Sequence, residues 1–416
     1  MPLHNGSGNS LLTTDKVAKD LLARWKNNLV LASSVYRDLE GQFGEIGDTI
    51  SVKLPNLAII NDGNVATTTT PLNDKSVPLV IDTQKNIKFS WGMKDKKLSI
   101  LQFGERYLEP ASNQLANAVD VKIAETMRDA YFQFGTAGQP LNFQEVTLGQ
   151  AYAQNVGIPT DSLCRLITNT IDRANISNAL SGVYNDALVK DAIQKGYAGE
   201  LAGFNTFYSQ NLINHEVGNH TGTETVATEL HCGNQLDVEN SQAGALLRGD
   251  RFTIDGVYEI NPITKQRTGR LQVFSVVSDG GLGGASGTVT INPSINDGTC
   301  VTQDAQGNDI TTSMDQNVDG FPVVGATLTI VGDANGLYRE NYIMHRDAVA
   351  MAMVFLDLPA SGHGSRASDP QTGLNISVSE YFNGDQNSNN LRMDILFGCK
   401  LTRPDLLLRA TSEKIG

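Results

Sequence analysis

Residues 105–134 constrain this chain more than any other stretch. They read ERYLEPASNQLANAVDVKIAETMRDAYFQF. Leu108, Ala111, Leu115, Val119, Ile123, Met127, Ala130 and Phe134 recur every three or four residues, the spacing of one face of an α-helix. Pro110 suits the first turn, where its missing N–H costs nothing. A helix from Pro110 to Phe134 is expected, roughly 37 Å long at about 1.5 Å per residue.

The segment before it has a different period. Ile50, Val52 and Leu54 alternate, then Val77, Leu79 and Ile81, then Ile87, Phe89 and Trp91, which is the pattern of pleated strands. Between the first two runs lies INDGNVATTTTPLNDK, residues 60–75, rich in turn formers and poor in apolar side chains. A long hairpin with such a tip has little of its own to bury, so it is expected to pack on something outside the chain. An N-terminal helix over 16–35, capped by Thr14, carries Val17, Leu21, Leu22, Trp25 and Leu29 on one face.

Beyond the long helix, residues 150–193 read as short helices around an apolar strand at 163–167. At about 218 the chain changes character. Pieces such as ALLRGDRFTIDGVYEI, GRLQVFSVVSD, SGTVTINP and GATLTIVG alternate with Gly, Asn and Asp turns up to about 336. That stretch is expected to be an inserted small β-barrel or sandwich, of ordinary domain size. The closing stretch holds HRDAVAMAMVFL, readable as helix or strand, and an apolar strand pair in NLRMDILFGCKLTRPDLLLRA. The whole reads as α+β.

The chain has 416 residues, 40 % of them hydrophobic and 19 % charged, with a net charge of −13. No Lys/Arg cluster stands out, which argues against a basic nucleic-acid groove. Cys164, Cys232, Cys300 and Cys399 are widely separated and form no CxxC, so they are read as free thiols in a reducing compartment. No signal peptide and no membrane span are expected.

Chemistry-bearing motifs are fragmentary. DQNVDG at 315–320 places Asp315, Asn317 and Asp319 like the start of a calcium loop, but its twelfth position is Ala326, so a polar turn is preferred. His345-Arg346-Asp347 matches a kinase catalytic triplet without the other kinase motifs. His215 and His220 are close enough in sequence to share a metal, though solvated loop residues are the plainer reading. No G-x-S-x-G elbow is present. No catalytic set, cofactor or metal is expected.

Several phrases, in order, resemble one family: EIGDTISV (45–52), ERYLEPA (105–111), KGYAGELAGF (195–204) with SQNL (209–212), GDRFTIDGVYEI (249–260), LQVFSVV (271–277), YIMHRDA (342–348) and LRMDILFGCKLTRP (391–404). Together they resemble tailed-phage major capsid proteins of the Hong Kong phage capsid fold. They are most similar to the coat proteins of the Salmonella short-tailed phage type, which carry an inserted domain. The stretch after Gly280, GGLGGASG and DAQGNDITTSMDQNVDG, has no counterpart in that resemblance.

The resemblance implies an N-terminal arm (1–46), an extended β-loop (47–95), a peripheral domain with the spine helix (96–145), an axial domain (146–217), the inserted β-domain (218–336) and a return to the axial and peripheral domains (337–416). It implies a non-enzymatic shell protein of the virion, assembled in the bacterial host cytoplasm as hexamers and pentamers around double-stranded DNA that is not read in sequence. It further implies a scaffolding protein, a portal and, in some relatives, a decoration protein, with no membrane. Expected intersubunit contacts are Trp25, Leu29, Lys53, Asn61, Asp74 and Lys75. Some relatives crosslink a lysine of the extended loop to a neighbour's asparagine. Lys53, Lys75 and Lys85 are available here, though solvated lysines are the plainer reading. The alternative from the same fold is a shell that encloses a cargo enzyme. From another class comes a metal-dependent β-rich adhesion protein built on the Asp-rich insert.

Overall fold

A computed structural model describes residues 14–37, 49–55, 64, 75–92, 104–181, 200–230, 232–239, 244–282, 286–303, 309–311, 313–357, 363–369, 374–385 and 388–415. Among these described residues the α-helices are α1 (Thr14–Asn28), α2 (Glu109–Met127), α3 (Phe143–Val156) and α4 (Thr170–Ser181). The principal strands begin with β1 (Thr49–Lys53), β2 (Ser76–Val80), β3 (Thr83–Gly92), β4 (Cys164–Thr168) and β5 (Phe204–Tyr208). Next come β6 (Gly233–Glu239), β7 (Arg251–Ile260), β8 (Arg267–Val276), β9 (Ser286–Ile295) and β10 (Leu328–Ile330). The last are β11 (Leu337–His345), β12 (Val349–Val354), β13 (His363–Asp369), β14 (Leu374–Asn383), β15 (Ser388–Leu401) and β16 (Leu407–Lys414).

The chain divides into two compact units. The first contains residues 1–52, 78–124 and 349–400. Its centre is a five-stranded sheet in the order β12-β15-β14-β13, with β3 also pairing β15. Ten consecutive residues of β3 pair antiparallel with β15, from Thr83 opposite Phe397 to Gly92 opposite Ser388. Gly398 lies where the backbone of Val80 comes closest, and a Cβ there would sit 2.1 Å from the Val80 carbonyl oxygen. The amphipathic face of α1 lies on β13 and β14. Val17, Leu21, Leu22 and Trp25 on that face are all buried, as period 3.6 requires.

Helix α2 buries every position its periodicity picked out, from Ala111 to Met127, and Leu108 just before it is buried too. It is shorter than expected. Its 19 residues end at Met127, about 28 Å at 1.5 Å per residue. Ala130 and Phe134, though buried, lie beyond the helix, in a turn and the bridge that follows it. Phe132 and Gln133 pair in parallel with Leu408 and Arg409 of β16, and that tertiary pairing ends the helix. A turn of wider π type, Gly104–Leu108, precedes α2.

The second unit contains residues 53–77, 125–348 and 401–416. One sheet runs from 132–133 through β16, β11, β4 and β5 to 200–201, with 215–216 also on β11. Its ladders are antiparallel at β11–β16 and β11–β4 and parallel at β4–β5. In the first unit the run at 345–356, ambiguous in sequence, is strand over Val349–Val354, with five of its six residues buried as in a strand covered on both faces.

The second sheet of this unit lies wholly within 218–336 and follows the order β10-β7-β8-β9-β6 and 225–226. It nearly closes on itself, since Thr225 bridges antiparallel to Thr327, just ahead of β10. Leu236, Val238, Phe252, Ile254, Phe274 and Val289 head its private core. The two ends of this β-domain meet. The Val217 N–H donates to Gly336 O at 2.9 Å and the Asn335 N–H to Val217 O at 3.1 Å. Adjacent ends are what allow such a domain to be inserted into a host sheet without stretching it.

Candidate assembly site and its supports

The hairpin enters the second unit through its base. Leu54 donates its N–H to Lys75 O at 2.8 Å, which closes the ladder above β1 and β2. The Lys75 ammonium pairs with the Asp315 carboxylate, in the turn Ser313–Asp315 of the β-domain. Around this pair lies a groove of about 410 Å³, with Leu54, Pro55, Ile260, Pro262 and Met314 among its walls. On the hairpin itself burial is uneven, with Leu79 of β2 fully buried. Strand β1 has no buried residue, and among the described side chains of β3 none is buried.

The turn that receives Lys75 is held from behind. Asn317 donates its side-chain N–H to Ser294 O at 2.7 Å, while its Oδ1 accepts from Asn296 N–H at 3.0 Å. The Asn317 and Val318 N–H groups both donate to Asn296 O. Lys265 Nζ donates to Met314 O at 2.6 Å, and burial lowers this ammonium's pKa although Asp315 works the other way. Asp319 pairs with Arg267 and accepts the Tyr258 N–H at 2.9 Å. The acidic side chains of the broken calcium motif therefore point to protein cations and amides. Among the described residues no group of three or more His, Cys, Asp or Glu could hold a metal ion.

Where the β-domain joins its host sheet, a charge cluster is sealed from water. Arg409 donates from Nε and Nη2 to both oxygens of Glu340, at 2.7 and 3.0 Å. Its Nη1 reaches Arg128 O and Gly249 O, each at 2.7 Å. Arg251 donates from Nη1 to Arg409 O at 2.8 Å and from Nη2 to the Thr411 hydroxyl. Arg251, Glu340 and Arg409 are all at most 2 % exposed. Beside them His215 Nε2 lies 2.8 Å from Asp250 Oδ1, and Asp250 also accepts the N–H of Gly218 and of Leu247.

Burial and charge pull these groups in opposite directions. Burial raises Glu340, but Arg409 and Arg251 outweigh it and hold the carboxyl below its ordinary value. Burial lowers Arg409, but Glu340 and its other neighbours leave it raised. Arg251 has the same burial with Arg409 beside it, and falls below its ordinary value. Two guanidiniums around one carboxylate need every donor satisfied, and the carbonyls of residues 128, 249 and 409 do that. Pattern reading missed this cluster. The available signal was a charge inside an apolar strand run: Arg409 in LLLRA, Arg251 in DRFTI and Glu340 in LYRENYI.

The residues expected at intersubunit contacts divide three ways. Trp25 is 0 % and Leu29 9 % exposed, so both are covered by their own chain. Close to them the buried carboxylate of Asp120 accepts the N–H groups of Val30 and Ala32, both at 3.1 Å, tying the end of the arm to α2. Lys53 is exposed at the end of β1. Lys75 turns to Asp315 of its own chain, and Lys85 is exposed on β3. Asn61 and Asp74 lie outside the described residues. His215 and His220 go to separate partners, Asp250 and Gly332 O, and His345 lies 3.4 Å from Asp161.

The reading of four free thiols is overturned for one pair. Cys232 and Cys300 are joined in a disulfide, while Cys164 and Cys399 remain thiols. The two are 68 residues apart, so their spacing gives no sign of pairing. The β6–β9 ladder brings them together, because Gly233 lies opposite Ile295.

Residues 8–407 match the family model described as P22 coat protein - gene protein 5. The capsid of Ralstonia phage GP4 is similar at 8 % identity, covering 94 % of this chain and 92 % of that one, with a TM-score of 0.46. A Mycobacterium phage Che8 structure is similar at 13 % identity, covering 92 % and 90 %, with a TM-score of 0.43. The CUS-3 coat protein I-domain is 31 % identical over 27 % of this chain and 99 % of its own length, with a TM-score of 0.20. A search of curated proteins found no match.

Proposed function

The chain belongs to the P22 coat protein family, and from that premise we propose how its shell is put together. It is a major capsid protein whose copies form the shell of a phage head, in an α+β fold of the Hong Kong phage capsid type. The single observation that carries this is the family match over 8–407, nearly the whole chain. A nanocompartment of the same fold is not better supported.

The shell is icosahedral, made of hexamers and pentamers that enclose double-stranded DNA without reading its sequence. A net charge of −13 supports containment over direct binding. The six-part layout from arm to return strands organises the subunit, and the extended hairpin is its principal intersubunit element. Low burial along β1 supports this, because β1 and β2 pair only with each other and a two-stranded ribbon is marginal without a cover. Lys53, Asn61 and Asp74 make the contact, while Lys75 anchors the hairpin's base and Trp25 and Leu29 act by holding the arm. A scaffolding protein and a portal take part, a decoration protein is compatible with the fold, and assembly takes place in the host cytoplasm. The subunit does no catalysis.

Electron microscopy of the expressed protein, alone and with its scaffolding partner, tests this reading. Closed, uniform icosahedral particles are expected. Monomers or amorphous aggregates under both conditions would refute it.

A further inference from the structure

We infer that the Cys232–Cys300 pair is a redox modification site. It is a dithiol in a reducing compartment and a disulfide once the protein meets an oxidant, and oxidation clamps the turn on which the hairpin base rests. The first observation is position. Cys232 immediately precedes β6, and Cys300 ends the segment that leaves β9. The pair therefore closes one end of the ladder in which Gly233 lies opposite Ile295.

The second observation is what that segment touches. Asn296, four residues before Cys300, exchanges hydrogen bonds with Asn317 and accepts from Val318 N–H. Gly298 lies against the Gln316 side chain, with a built Cβ 3.1 Å from its Cδ. Asp315, next in the chain, holds Lys75. The path from the sulfurs to the hairpin base is thus 300, 298–296, 316–317, 315 and 75, each step a bond or a contact.

The third observation is access. Cys232 is exposed while Cys300 is 6 % exposed. A small oxidant reaches Cys232 first. The Cys232 thiolate attacks one sulfur of a low-molecular-weight disulfide and expels one thiolate. The Cys300 thiolate then attacks the Cys232 sulfur and expels the second. Each cysteine gives up its proton to water, the two cysteines are oxidised by two electrons, and the small disulfide is reduced to two thiols. Cys164 is buried, and burial pushes its thiol up to about 12, so it does not compete.

The consequence for assembly rests on the proposed role of the hairpin, but the test does not. Full-length soluble subunit is incubated with an oxidised or a reduced low-molecular-weight thiol. Thiols are then titrated in denaturant, and limited proteolysis is mapped across 294–317. Oxidised protein should titrate two thiols, those of Cys164 and Cys399, and reduced protein all four. Reduction should speed cleavage in that segment by at least about tenfold, since a 68-residue closure is lost. Cys300→Ser should cleave at the reduced rate under both conditions, and Cys164→Ser should keep the difference. Four titratable thiols after oxidation, or equal cleavage in both states, would overturn the proposal. A subunit that shows the redox difference yet assembles normally in both states would leave the site intact and count only against the hairpin's role.

Discussion

Among the described residues Glu340 is the carboxylate that binds the Arg409 side chain, and Arg251 Nη2 lies 3.9 Å from it. Its removal leaves two buried guanidiniums facing each other. Glu340→Gln is expected to destabilise the subunit by about 3–5 kcal/mol, the usual consequence of breaking a buried pair from one side. Denaturant unfolding of soluble subunit measures it, and a loss below about 1 kcal/mol would mean the cluster is solvated. His215 supplies the pH dependence. Burial, then Arg409, lowers its pKa below the ordinary 6.5, against the pull of Asp250 and Glu340. The folded chain keeps this imidazole neutral while the unfolded chain protonates it. Its contribution is therefore complete above about pH 6.5 and is lost as pH falls towards the folded value. The unfolding temperature should drop over this window, above the range where carboxylates titrate, and His215→Gln should remove that part of the drop. Identical pH profiles for the two proteins would contradict this.

At the scale of single elements, α1 and the hairpin behave differently. Trp25 is fully buried on α1, which packs on β13 and β14 of its own unit. Trp25→Ala should cost about 3–5 kcal/mol of subunit stability, visible in thermal unfolding before any assembly is attempted. A stable subunit carrying this change would mean that the arm packs loosely. On the ribbon β1–β2, Leu79 joins the core of the subunit, and no other described residue of the two strands is buried. Deleting 61–74 should leave a soluble, folded monomer with unchanged circular dichroism that fails to form closed shells. Normal shells from this deletion would remove the hairpin from the assembly scheme.

At the scale of the molecule, the β-domain is the piece most able to stand alone. Its core cluster lies entirely within 218–336, its sheet nearly closes, and its ends are hydrogen-bonded to each other. Expressed as residues 217–337, it should give a β-type spectrum and one cooperative melt. A disordered spectrum would show that the Arg251 and Asp250 contacts with the host sheet are needed for it to fold.

Much of this was legible from residue order. The periods of α1 and α2 named side chains that are buried, the alternation at 50–52 and 87–91 fell on strands, and the turn-rich stretch from 218 became a separate β-sheet. Such patterns are local, because a helix face or a strand face is set by neighbours within about seven residues. The end of α2 was not local. Its apolar spacing continues to Phe134, but Phe132 and Gln133 are claimed by β16, some 276 residues later by their paired positions. The same holds for Lys75 with Asp315, 240 residues apart, and for Cys232 with Cys300. It holds too for the charges at 251, 340 and 409, each of which would be unfavourable alone in its own strand. By itself the sequence determined which faces are apolar and in what order the elements come. Which distant polar groups neutralise one another was decided by the sheet registers, since a buried charge is tolerated only where topology delivers its partner.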